Sequence, residues 1–233
     1  MSPTSSRSID SLVERQMRNW ELARRQQPET TAPDDQPVHG FVTVSRSVGS
    51  GGGDAARALA RDIGWPVFDS EILRYMSGDD DVRERLYGTM DERDLSFIEN
   101  AIRSLTHEGF NRNDYFHRLT ATILAVARKE KAVFLGRGAD LILPREIGLR
   151  VRVVAPNEHR VERFAQRYKL DREQAGHEVA RIDKERSEFI RNHFNVDVNS
   201  VDRYDLGLNL AALSVDDSVQ IIKRAMELRG LLS

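Results

Sequence analysis

Glycine at positions 49, 51, 52 and 53 constrains this chain more than any other feature, because it sits between a strand-forming and a helix-forming segment. Phe41 to Val44 is aromatic and β-branched. Asp54 to Ile63 places Ala55, Ala56, Leu59, Ala60 and Ile63 on one helical face, and Gly64 supplies a stop. Glycine permits positive φ and leaves no Cβ in the way of a ligand approaching the backbone. A helix start presents unpaired N–H groups to an anion. Strand, glycine loop and helix in this order read as a phosphate cradle.

The cradle must draw its positive charge locally. Over 233 residues, 35 basic and 37 acidic side chains leave a formal charge of −2, so no global basic field points to nucleic acid or an anionic membrane. Cysteine is absent, which excludes disulfides, a thiol nucleophile and thiolate metal sites and suits a reducing compartment. With no secretory h-region and no 18-residue apolar run, the expectation is a cytoplasmic protein without nucleic-acid or membrane partners. The 39% hydrophobic content supports one main core with a small appendage.

In chain order, Met1 to Arg7 is small and polar and reads as disordered. Ile9, Leu12, Val13, Met17 and Trp20 recur at helical spacing, so Ser8 to Gln27 reads as an amphipathic helix with a capping box at Ser11 and Glu14. Its charged side reads as solvated, with dimerisation through this helix as the alternative. Pro28, Pro33 and Pro37 mark a linker, giving an extension over residues 1–36 and a main domain over 37–233.

Trp65 to Phe68 reads as a second strand ending in Asp69 and Ser70, and Glu71 to Met76 starts a helix. Ser77 to Asp81 reads as a polar loop. Helical segments follow at Val82–Met90, Asp94–Leu105 and Tyr115–Lys129. His107 and His117 lack metal-ligand spacing, and no metal site is assigned. Ala132 to Leu135 reads as a third strand ending in Gly136-Arg137-Gly138. Leu149 to Val154 reads as a fourth, followed by a helix capped by Asn157 and running to Tyr168 and another from Asp171 to Phe194. Tyr204 to Asn209 is the fifth strand, and Ser214 caps a closing helix to Leu228. Alternating strands and helices predict an α/β fold with a mostly parallel sheet covered on both faces.

Two phosphate loops compete for the glycine run. The dinucleotide pattern G-x-G-x-x-G is not met, although Asp69 would suit its acid at the end of the second strand. Four residues between Val44 and Gly49 favour the longer wrap of a P-loop. Its pattern G-x-x-x-x-G-K-[ST] is incomplete as well, since the first glycine falls on Arg46 and the lysine on Gly52.

In this setting Ser45-Arg46, Gly49-Ser50-Gly51-Gly52, Val67-Phe68-Asp69-Ser70 and Gly136-Arg137-Gly138 occur in an order that resembles the cytidylate kinase-like family of P-loop nucleoside monophosphate kinases. Arg181 to Arg186, Tyr204-Asp205-Leu206 and Leu213 to Asp217 extend the resemblance over roughly Phe41 to Met226. It implies a P-loop NTPase three-layer fold with a five-stranded parallel sheet in the order 2-3-1-4-5, a helical insertion and an Arg-rich lid. It further implies phosphoryl transfer from ATP with Mg²⁺ to a nucleotide, CMP being the first acceptor to try.

Carried over by position, Gly49, Ser50, Gly51, Gly52, Gly53 and Asp54 would hold the donor phosphates. Asp69, Ser70, Arg137 and Asp183 would meet the acceptor. Arg74, one residue from the family's acceptor-phosphate arginine, joins them. Arg181 and Arg186 would close over the transferring group. Arginine suits these roles because its planar fork donates paired bonds to phosphate.

The chain departs from the family pattern at several positions. Gly52 replaces the loop lysine, Gly53 and Asp54 stand where a hydroxyl neighbour is usual, Leu135 stands where the third strand often has an acid, and Gly138 replaces an aspartate. Arg46 is then the candidate cation, and Asp54 or Asp69 the candidate to hold Mg²⁺ through water. A nucleotide-binding regulatory protein without turnover, a dinucleotide-binding oxidoreductase and a scaffold organised by the N-terminal helix are the alternatives.

Overall fold

The structure is a computed structural model that describes residues 3–26, 38–107 and 114–232. The linker expected after Gln27 falls almost wholly outside the described residues. The elements run α1 (Pro3–Gln26), β1 (Phe41–Arg46), α2 (Gly52–Ile63), β2 (Val67–Asp69), α3 (Ser70–Gly78), α4 (Asp80–Gly88), α5 (Glu92–His107) and α6 (Asp114–Lys129). They continue with β3 (Ala132–Leu135), α7 (Ala139–Ile142), β4 (Leu149–Val154), α8 (Asn157–Tyr168), α9 (Arg172–Phe194), β5 (Leu206–Asn209) and α10 (Val215–Leu228). The chain forms two compact units, one from residues up to His39 with Phe68–Glu130, the other from Gly40–Val67 with Lys131–Ser233.

The five strands lie in the order β2-β3-β1-β4-β5, as expected from the sequence. β1 is central and pairs in parallel with β3 and β4, setting Val44 beside Leu135 and Val151. Strand periodicity of two sends Val42, Val44, Val133, Leu135, Val151 and Val153 to one face, where α2 and α10 cover them with Leu59, Val219, Ile222 and Met226. Phe41, Thr43 and Phe134 alternate with them and are buried as well. Both faces being covered explains the continuous apolar runs of β1 and β3. Gly64 ends α2 at φ 73, and Ser214 with Asp217 forms a capping box on α10.

The helical unit is built on α6, whose residues Leu119 to Ala127 are all buried. Helix α1 buries Val13, Met17 and Trp20. Trp20 stacks on Phe68 at 6.3 Å and donates from Nε1 to the Glu130 carboxylate at 3.0 Å, which also accepts from Gln16. Arg85 of α4 ties α1 down through Glu14 and Glu21 at 2.8 and 3.0 Å.

Three local expectations are corrected. Helix α1 starts at Pro3, so Met1–Arg7 is not wholly irregular and Ser11 lies inside the helix rather than capping it; once nucleated, a helix extends through indifferent residues at one hydrogen bond each. Ser77 to Asp81 is not a loop. Asp79 accepts from Val82 N–H and starts α4, with Asp80 and Asp81 favourably placed in its first turn. Helix α8 is capped at Pro156, and Asn157 instead accepts from Arg160 at 3.0 Å.

Candidate functional site

The glycine loop runs from Ser47 to Gly51 between the C-terminal end of β1 and the start of α2. Gly49 and Gly51 have φ of 75 and 87. Gly49 is required twice over, because a Cβ there would also strike the backbone carbonyl of Arg160 at the start of α8. The loop is braced internally. Ser50 donates from its hydroxyl to the Ser47 carbonyl at 2.8 Å, and Val48 N–H donates to Asp183 Oδ1 at 2.8 Å. The other carboxylate oxygen of Asp183 pairs with Arg160, which also donates to the Val48 carbonyl at 3.2 Å. Asp183 thus joins α8 and α9 to the loop.

Gly52, at the lysine position, lies where no side chain fits. A Cβ built on it stands 2.7 Å from Arg46 Cβ and 2.9 Å from Val153 Cβ. Positive charge comes from elsewhere. The Arg46 guanidinium lies directly against the Gly136 backbone in the β3–α7 turn. Arg186 of α9 donates to the Arg46 carbonyl at 3.4 Å. Arg137, in the left-handed region at φ 59, lies over the Phe189 ring at 5.1 Å, and its Nε is buried without a hydrogen-bond partner. Next to it, Gly138 has φ 70 and a Cβ there would run into the Phe194 ring, which accounts for glycine where the family pattern has aspartate.

Arg152 of β4 completes the group, and the sequence reading had missed it. It donates to Ser45 Oγ at 3.0 Å and Asn199 Oδ1 at 3.1 Å and lies 5.9 Å from the Tyr204 ring centre. Tyr204 in turn donates to Ser45 Oγ at 3.2 Å. Burial lowers the pKa of Arg186, and Arg137 and Arg152 lower it further against the opposing pull of Asp183. Arg152 is lowered by burial as well. Guanidinium groups gathered in a partly dry place disfavour one another and favour an anion between them.

The remaining candidates have other partners. Arg181 is exposed on α9, held by Glu178 and Glu185 of its own helix at 2.7 and 2.5 Å. Asp54 is engaged by Arg57, Arg163 and Arg167. Burial would raise its pKa, but the bonds from Arg163, Arg57 and Arg167 prevail and hold it at about 2. Leu135 is buried in the core. Asp69, Ser70 and Arg74 belong to the helical unit, where Asp69 Oδ1 caps α3 by accepting from Glu71 and Ile72 N–H at 3.0 and 3.1 Å, and Arg74 is exposed. Among the described residues, no group of three or more His, Cys, Asp or Glu could hold a metal. The loop and its cations offer donors of the kind a phosphate chain takes, and Mg²⁺ beside them would depend chiefly on the oxygens of such a ligand and on water.

Arg152, Arg160, Arg163 and Arg167 left a faint signal. Arginines alternate with valines through the strand Leu149–Val154, and Arg160, Arg163 and Arg167 recur at helical spacing.

A cytidylate kinase of Natronomonas pharaonis is 27% identical over 187 residues, covering 80% of this chain and 88% of that protein. One of Methanopyrus kandleri is 26% identical over 190 residues, covering 80% and 92%. An uncharacterized protein from Eubacterium ventriosum has a crystal structure that superposes with a TM-score of 0.65 at 19% identity, covering 80% of this chain and 97% of that one, and so shares the fold. The family model described as the cytidylate kinase-like family matches residues 41–212, from the first residue of β1 to just beyond β5. The chain belongs to the cytidylate kinase-like family.

Proposed function

We propose that this protein transfers a phosphoryl group from ATP, with Mg²⁺, to a nucleoside monophosphate, CMP being the first acceptor to test. One observation carries the proposal. Arg46, Arg137, Arg152 and Arg186 converge from β1, the β3–α7 turn, β4 and α9 beside a glycine loop. Phosphoryl transfer asks little covalent chemistry of a protein; it requires two substrates in line and positive charge to neutralise the moving group. The loop backbone would hold the donor phosphates, and Arg46 and Arg186 would stabilise the transferring phosphoryl. Arg137 would take the acceptor phosphate. The acceptor roles of Asp69, Ser70 and Arg74 rest on the family resemblance, as does a lid role for Arg181. Asp183 serves as a brace rather than a ligand. A cytoplasmic setting agrees with the absence of cysteine and of any described helix able to cross a membrane.

The test is purified protein with ATP, Mg²⁺ and a panel of nucleoside monophosphates, following diphosphate formation. Arg186→Ala is expected to lower kcat about 100-fold or more, in line with transition-state arginines elsewhere. No diphosphate above an Arg46→Ala control would remove the enzyme claim. A second reading, nucleotide binding without turnover, is favoured by Gly52 at the lysine position and by the buried Leu135. ATP binding with no product would select it.

A further inference from the structure

Arg57 of α2 and Arg163 and Arg167 of α8 converge on one carboxylate, that of Asp54, at 3.1, 2.9 and 3.2 Å. Three cations on one anion leave the place positively charged. Arg163 also lies against the loop, and Arg57 against the first turn of α2. Arg163 Cζ stands 3.3 Å from the Cβ position of Gly51, and Arg57 Nη2 stands 3.2 Å from that of Gly53. Side chains on those residues would press on both guanidinium groups, so the glycines leave the cations room. Asp54, Arg163 and Arg167 have side-chain exposures of 32, 39 and 54%, so solutes reach them. Accessible ion pairs of this kind contribute little to folding, and a phosphate brings more charge and more acceptor oxygens than a carboxylate.

We propose that the Asp54 carboxylate is an internal stand-in for donor phosphate. Arg163, supported by Arg57 and Arg167, takes the place of the lysine that Gly52 excludes, and the β and γ phosphates displace Asp54 from it. This deepens the kinase reading and rests on it. Asp54 is then a competitor for the cations rather than a magnesium ligand.

The test is calorimetric binding of inorganic tripolyphosphate and of ATP, each with EDTA and again with Mg²⁺, to wild type, Asp54→Asn, Arg163→Ala and Arg163→Lys. Thermal melts accompany every variant. Without Mg²⁺, Asp54→Asn is expected to bind tripolyphosphate about tenfold tighter, because a charge-assisted competitor has been removed. Arg163→Ala is expected to bind it about tenfold more weakly. Arg163→Lys should stay within about threefold of wild type, since lysine serves phosphate as a point charge. Wild type that binds both ligands while Asp54→Asn and Arg163→Ala match it would overturn this inference and leave the kinase reading intact. Wild type that binds neither would overturn the kinase reading and this inference with it. If Arg163→Ala melts early, Asp54→Asn alone decides the question.

Discussion

Gly52→Ala and Gly176→Ala are the same substitution with opposite expected signs. Gly176 lies within α9 with nothing inside 4 Å of its Cβ position, so alanine there relieves glycine's backbone entropy by about 0.5–1 kcal/mol. At Gly52 the new Cβ meets Arg46 Cβ at 2.7 Å and Val153 Cβ at 2.9 Å. Those atoms are fixed to β1 and β4, and truncating either residue to alanine leaves the Cβ in place. Overpacking of this kind costs roughly 1–3 kcal/mol, against which helix propensity returns at most about 1. A net loss of up to about 2 kcal/mol corresponds to a Tm lowered by up to roughly 8 °C in a chain this long. Gly176→Ala should raise Tm by about 1–4 °C. Thermal melts followed by far-UV circular dichroism read both. Gly52→Lys carries the same Cβ and should destabilise at least as much, so restoring the P-loop lysine should not restore a better kinase. A Gly52→Ala protein melting at or above wild type, beside a normally stabilised Gly176→Ala, would refute the steric account of the missing lysine.

Two further outcomes follow from buried charge. Arg203 and Asp140 pair at 2.5 Å with side chains 9% and 6% exposed, so Arg203→Ala should cost about 3–5 kcal/mol in urea unfolding by leaving the carboxylate buried and unpaired. Adding Asp140→Ala should return part of that loss, and no recovery would contradict the ionic reading. Burial raises the Glu130 pKa from 4.5 to about 7 against the opposing Trp20 hydrogen bond. The folded form therefore holds its proton longer, and the associated stability is full below pH 4.5 and lost as pH rises through about 7. The shift corresponds to about 3 kcal/mol, which partial exposure reduces to about 1–2. Glu130→Gln should flatten that slope, and a pH profile parallel to wild type would remove Glu130 as its source.

Legibility in the sequence tracked how local each cause is. β3 and β4 begin and end where the residue pattern put them, because period-two alternation is written within a few residues. The parallel sheet followed from the alternation of elements. The glycine loop was legible too, since positive φ and a following helix leave a glycine signature. Its charges were not. Arg46, Arg137 and Arg186 were singled out by the family pattern, but Arg152 looked like one polar residue in a strand. The α8 arginines showed only a helical spacing. Arg181 and Arg186 were indistinguishable in sequence, yet they lie on different sides of α9. One is tied to glutamates of its own helix and the other is drawn to Arg46.

By itself, then, the sequence determined the elements, the sheet and a glycine loop between strand and helix, because backbone conformation answers to near neighbours in the chain. Tertiary structure decided which charges stand at that loop. The reason for glycine at position 52 lies in Cβ atoms of β1 and β4, and the partners of Asp54 include arginines more than a hundred residues away, separations that periodicity and propensity do not encode.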